Sequence, residues 1–153
     1  MRWIGLALAV AMVAGCVQGG GPSYVSQPAQ PTPAERKVAE TRSAVEEFKG
    51  EAGCDGQSYR KAKAGVDELQ RSAEILSGDP SYVVYKYAVI ARDHHTQTAF
   101  LLADAAKGKG CLDVADSIYR GLISLYVGSA YGGIRDRARL GIEDIRELRS
   151  RKR

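Results

Sequence analysis

Residues 81–107, SYVVYKYAVIARDHHTQTAFLLADAAK, decide how this chain is read. Tyr82-Val83-Val84-Tyr85 and Tyr87-Ala88-Val89-Ile90-Ala91 are apolar nearly all round. A helix buried on several faces has that pattern. The β-branched opening would also suit a strand, but no other stretch of the chain offers a strand to pair with it. Ser77-Gly78-Asp79-Pro80 stops whatever precedes it, and Gly108-Lys109-Gly110 closes it. The spacing therefore predicts a long helix over about 81–107.

Working outward, every other periodic signal is helical too. Thr32-Pro33-Ala34-Glu35 offers a Thr cap, a proline at the first helical position and a Glu three residues after the Thr. Val38, Thr41, Val45 and Phe48 then lay one stripe on one face, and Gly50 and Gly53 end the segment. A second helix is expected from about Gln57 to Leu76, with Tyr59, Ala62, Val66, Leu69, Ala73 and Leu76 inward. A fourth runs from about Leu112 to Tyr126, and Gly128 breaks it. A fifth runs from about Tyr131 to Arg149, with Ile134, Ala138, Ile142, Ile145 and Leu148 inward. The expected fold is all-α: about five helices in antiparallel hairpins, as a bundle or a short solenoid.

The chain begins MRWIGLALAVAMVAGC. Arg2 gives a positive start, Trp3 to Val13 form a short apolar run, and Val13-Ala14-Gly15 places small residues before Cys16. This is the layout of a secretory signal. The run is too short for a permanent membrane helix, which needs roughly 20 residues. It resembles the lipobox of bacterial lipoproteins, in which the cysteine is lipidated and becomes the first mature residue. Two other readings stay open: an ordinary signal cut near the glycines, and a cytosolic chain with an apolar first helix. The lipoprotein resemblance implies residues 1–15 as signal peptide and an anchor at Cys16. It further implies a protein tied to the bacterial outer membrane and facing the periplasm, since Val17 rather than Asp follows the cysteine. The stretch VQGGGPSYVSQPAQPTP, residues 17–33, has the composition of a flexible-to-extended tether. The helical domain is then 34–149 and a basic tail 150–153.

With Cys16 spent on lipid, Cys54 and Cys111 remain as an even pair in an oxidising compartment. Neither lies in a CxxC or a Cys/His cluster, so metal binding and thioredoxin-like chemistry have no support. Cys54 precedes the second helix and Cys111 the fourth. If successive helices run antiparallel, both starts lie at one end of the bundle, and a disulfide with Cα atoms about 5.5–6 Å apart becomes feasible. Two isolated buried thiols are the competing reading.

The formal charge of +4 is concentrated at one end. Arg135, Arg137, Arg139, Arg146, Arg149, Arg151, Lys152 and Arg153 face only Asp136, Glu143, Asp144 and Glu147 there. Such an end can touch anionic lipid or an acidic partner. Equally, it can be a solvated helix end with cations suited to the helix dipole. Export makes nucleic acid an improbable partner.

Ala115, Tyr119, Leu122 and Tyr126, then Gly128-Ser129-Ala130-Tyr131, then Ala138, Leu140 and Gly141 resemble part of a tetratricopeptide-type helical hairpin. The variety is the one found in periplasmic outer-membrane lipoproteins. In such repeats small residues let two helices approach while Tyr and Leu fill the gap. The resemblance covers about thirty residues, has Val127 where a proline is usual, and shows no second copy at a 34-residue period. It implies a scaffold whose groove binds a peptide or another envelope protein.

His94-His95 is the one feature on which a mechanism could be hung. Adjacent helical residues point about 100° apart, so the two cannot ligate one metal from the same face. One is expected semi-buried and one exposed, in a structural role, with a pH-sensitive or ligand contact as the alternative. No GxSxG serine, phosphate loop or acid–base pair is recognisable. No catalytic residue, metal or cofactor is expected, and the sequence leaves the oligomeric state open. The expected function is an outer-membrane-anchored adaptor or envelope assembly factor. Its alternatives are a ligand-binding or enzymatic domain with a pocket near His94, and a structural spacer with a basic tail. Expected partner contacts are Tyr85, His94, Tyr126, Tyr131, Arg149, Arg151, Lys152 and Arg153.

Overall fold

Thr32 sets the start of the first helix by two reciprocal bonds. Its hydroxyl accepts the Glu35 N–H at 3.2 Å, and the Glu35 carboxylate accepts the Thr32 N–H at 2.7 Å. The computed structural model describes residues 30–77 and 82–151. Helix α1 spans Pro33–Gly50, α2 Gln57–Ser77, α3 Tyr82–Gly108, α4 Leu112–Leu125 and α5 Gly132–Arg151, with a 3-10 turn at Ser129–Tyr131 between the last two. The described residues contain no strand. The fold is all-α, as expected. Residues 1–29, including the expected leader and Cys16, lie outside the described residues, as do Lys152 and Arg153.

Chain neighbours pack as hairpins, and α3 touches every other helix. It lies against α1, α2 and α4 broadly and against α5 at fewer points. Helices α2 and α4, both on α3, do not meet each other. The core sits around the second half of α3, where Phe48, Leu102, Tyr119 and Ile145 are sealed from solvent. Two glycines set the closest helix approaches. A Cβ on Gly65 would lie 2.1 Å from the Thr41 hydroxyl, and one on Gly141 2.5 Å from the Tyr119 ring. No larger residue fits either crossing without displacing its neighbour.

At one end of the bundle three locks coincide. Cys54 and Cys111 are joined as a disulfide with Cα atoms 5.5 Å apart, at the starts of α2 and α4. The Lys109 ammonium donates to the Phe48 carbonyl at 2.6 Å and to the Glu51 carbonyl, closing the end of α1. The Glu51 carboxylate in turn accepts the N–H groups of Gln57 and Ser58, both at 3.1 Å, capping α2. The end of α1, the start of α2, the end of α3 and the start of α4 are thereby held together.

Helix lengths then decide what is covered. At 1.5 Å per residue α3 is about 40 Å long, α1 about 27 Å and α4 about 21 Å. All are registered at the disulfide end, so the shortfall falls at the other. The start of α1 lies beside Ile90 and His94, and Tyr126, just past α4, reaches His95. The start of α3 extends past both.

Two expectations are corrected by this geometry. The opening of α3 is not buried on several faces: Tyr85 is 59% exposed, Tyr87 57%, and Val89 and Ile90 are also exposed. The helices that would cover them are too short. Leu140, expected to fill a helix gap, points to solvent at 61% exposure, because the Gly141 side of α5 is the one that meets Tyr119. Helix α5 runs through Arg151, two residues past the expected end of the helical domain. Tyr126 ends just outside α4, buried beside His95.

Candidate functional site

Because α2 and α4 stay apart, a cleft runs between them along α3. One section, of about 380 Å³, is floored by His95, Ala99 and Leu102. Its α2 wall carries Val66, Asp67 and Gln70, and its α4 wall Ser117, Gly121 and Ser124 beside Ile118, Leu122 and Leu125. Gln70 and Leu125 also line the next section, of about 310 Å³, which Arg92, Tyr126 and Tyr131 close. The small α4 residues recur at i, i+4 and i+7, which keeps that wall low along one line. Lys63 and Asp67 form an ion pair of 2.6 Å on the opposite wall.

A polar cluster sits where the two sections join. The His95 Nδ1 and the Tyr126 hydroxyl share a hydrogen bond of 2.6 Å, with both side chains buried. Burial drives the His95 pKa down to about 4, against the pull of the Asp67 and Glu74 carboxylates. His95 is therefore neutral at physiological pH. Burial also pushes the Tyr126 phenol up. The Tyr126 and Tyr131 rings lie 5.4 Å apart, and the Tyr131 hydroxyl accepts from the Arg92 guanidinium. That guanidinium stands 5.5 Å from the Tyr131 ring centre and 6.0 Å from the Tyr85 ring centre. Tyr85, Tyr126 and Tyr131, named from sequence as partner contacts, are thus brought together around Arg92.

The remaining predicted contacts lie elsewhere. His94 turns away toward α1, lining a groove of about 630 Å³ with Glu35, Arg42 and Gln97; its Nδ1 is buried without a hydrogen-bond partner. Arg149 pairs with Asp113 and Arg151 with Glu147. They lie on the order of 27 Å along α5 from Tyr131. The histidine pair was legible, but His94 was singled out where His95 is the one built into the cleft. Arg92 was missed, although its spacing of seven from Tyr85 puts the two on one helix face.

On the opposite side of the core, Tyr119 donates to the Asp104 carboxylate, which also accepts from Arg137 at 3.2 Å. Burial and that carboxylate raise the Tyr119 pKa. This network ties α3, α4 and α5 and opens into no cleft described above. Among the described residues no group of three or more His, Cys, Asp or Glu side chains is placed to hold a metal ion, and no helix is long and apolar enough to cross a membrane. The cleft offers hydrogen-bonding groups and a cation at one end along an apolar floor. No protein-family model, curated protein or solved structure matches this chain.

Proposed function

We propose that the protein is a lipid-anchored adaptor of the bacterial outer membrane that faces the periplasm. Its small tetratricopeptide-like domain holds another envelope protein in the cleft between α2 and α4. The anchor rests on the leader and Cys16 as sequence. The observation that carries the binding role is the cleft itself: half-buried Ile118 and Leu125 line it above the sealed Ala99 and Leu102, and Asp67, Gln70 and Arg92 border it. An extended or helical segment needs that combination, an apolar seat with hydrogen-bond partners at its edges. Enclosed chemistry would need a sealed pocket with convergent groups.

The test places a photoreactive residue at Gly121, whose Cβ would point into open space, and at Arg139 on the outer face of α5. In intact cells the first should give one discrete adduct with an envelope protein and the second none. No adduct from either site, or equal ladders from both, refutes the adaptor. Cys16→Ser should release the protein from membrane fractions; retention refutes the anchor. A second reading, ligand binding near His94, has the unpartnered Nδ1 beside the α1–α3 groove in its favour. It gains if His94→Ala abolishes function while leaving the Gly121 adduct intact.

A further inference from the structure

The cleft between α2 and α4 carries charge as well as apolar surface, and only part of that charge is satisfied from within the domain. On the α2 wall the Asp67 carboxylate pairs with Lys63 at 2.6 Å, and the Glu74 carboxylate accepts from the Gln70 side chain at 2.8 Å. Arg92 stands differently. It is half-buried, and among the described residues it forms no ion pair with a carboxylate. Its Nε donates to the Ala88 carbonyl one turn back at 3.2 Å, and its Nη1 donates to the Tyr131 hydroxyl. The other terminal nitrogen, Nη2, has no acceptor among the described residues. The guanidinium is nonetheless held, since the Tyr131 and Tyr85 ring centres stand 5.5 and 6.0 Å from it. The one other half-buried arginine among the described residues, Arg135, is engaged: its Nη1 donates to the Tyr126 and Gly128 carbonyls, closing the end of α4.

We propose that Arg92 is the specificity-determining anchor of this cleft and receives an acidic side chain of the partner's bound segment. This inference rests on the adaptor reading. Nη2 carries two N–H groups, and hydrogen bonds from a guanidinium to a carboxylate are the strong, charge-assisted kind. Covering a cation without pairing it is costly, so a bound segment has to bring the opposite charge to this point. Leu125 lines both sections of the cleft, and Ile118 lies two turns earlier, about 10 Å along α4. The fitting segment is therefore acidic at Arg92 and apolar over Leu125 and Ile118. A basic segment would meet the guanidinium and be repelled, and the carboxylates that could receive it, Asp67 and Glu74, already have partners. A wholly apolar segment would leave the guanidinium covered and unpaired.

The test uses the full chain in intact cells with p-benzoylphenylalanine at Gly121, one turn of α4 before Leu125. Sequencing the peptides of the adduct identifies the segment that lies in the cleft. Arg92→Gln should lower the yield of that adduct at least about tenfold, and Arg92→Lys should keep part of it. Changing the segment's acidic residue to its amide should lower the yield equally, with this chain untouched. That arm holds even where Arg92→Gln unfolds the domain. Arg92→Glu together with an arginine at the partner's acidic position should restore the adduct that either change alone abolishes. An adduct indifferent to Arg92, or one whose segment is basic or lacks an acidic side chain, overturns the anchor and leaves the adaptor standing. A loss on Arg92→Gln that no change in the partner reproduces also overturns it, by assigning Arg92 to holding Tyr131. No adduct from Gly121 in the otherwise native chain refutes the adaptor itself, and the anchor with it.

Discussion

From His95 onward α3 buries Ala99, Phe100, Leu102, Ala103 and Ala106, whereas before Ile90 it leaves Tyr85, Tyr87 and Val89 in solvent. The earlier half is no less apolar by sequence. What differs is the company each half keeps. The second half has α1, α4 and α5 around it, and the first has α2. Burial here is decided by the lengths of neighbouring helices and by the end at which they are pinned. The disulfide, Lys109 and Glu51 pin one end, so all the mismatch appears at the other.

That contrast can be broken most severely in the covered half. Tyr119→Ala removes a sealed ring and strands its contacts with Phe100 and Asp104. It should destabilise the fold by about 3–5 kcal/mol in chemical denaturation. A loss below about 1 kcal/mol would mean the core is not where the packing puts it. Next, reducing the Cys54–Cys111 bond, which closes a loop of 57 residues, should cost about 4 kcal/mol by the chain-entropy argument. The melting temperature should drop accordingly, and an unchanged melting curve would show that the registered end holds without it.

A smaller effect comes from acid. His95 has a folded pKa of about 4, below its ordinary value of 6.5, so the folded state resists a proton that the unfolded state accepts. Stability on that account should fall as pH drops from about 6.5 to about 4 and level off below, losing on the order of 3 kcal/mol. His95→Gln should flatten the slope across that window; an unchanged slope would assign it to other groups. The smallest change is expected on the overhang. Tyr85→Ser with Val89→Ser should shift stability by no more than about 0.5 kcal/mol, since neither residue is buried. A loss comparable to Tyr119→Ala would erase the distinction between the halves.

Much of this architecture is legible in residue order. The Thr32–Glu35 capping pair, the glycine stops and the 3-4 stripes of α1, α2, α4 and α5 all fall where the helices do. The pairing of Cys54 with Cys111 follows from alternating helix direction. The exposure of Tyr85 and Tyr87 is not visible in their own stretch. It is visible in a comparison of lengths, since the fourth helical segment is about half the third, and a short helix cannot cover a long one. The cleft is harder to read. It exists because α2 and α4 stay apart on α3, a tertiary spacing that no local pattern encodes, although Ser117, Gly121 and Ser124 mark the line along which α4 is thin. His94 and His95 are indistinguishable by type, and only the rotation of α3 against α4 decides which one meets Tyr126.

The outward sides of α1 and α5 carry Arg36, Glu40, Arg42 and Glu46 at one flank and Asp136, Arg139, Glu143 and Arg146 at the other, with Leu140 as an apolar exception. Solenoids grow by duplicating a hairpin and stacking the copy on an apolar flank. Here both flanks are already finished in charge. An inserted copy would have to take Glu46, Asp136, Arg139 and their neighbours out of water, so the described residues build a domain finished at both flanks rather than one open to extension.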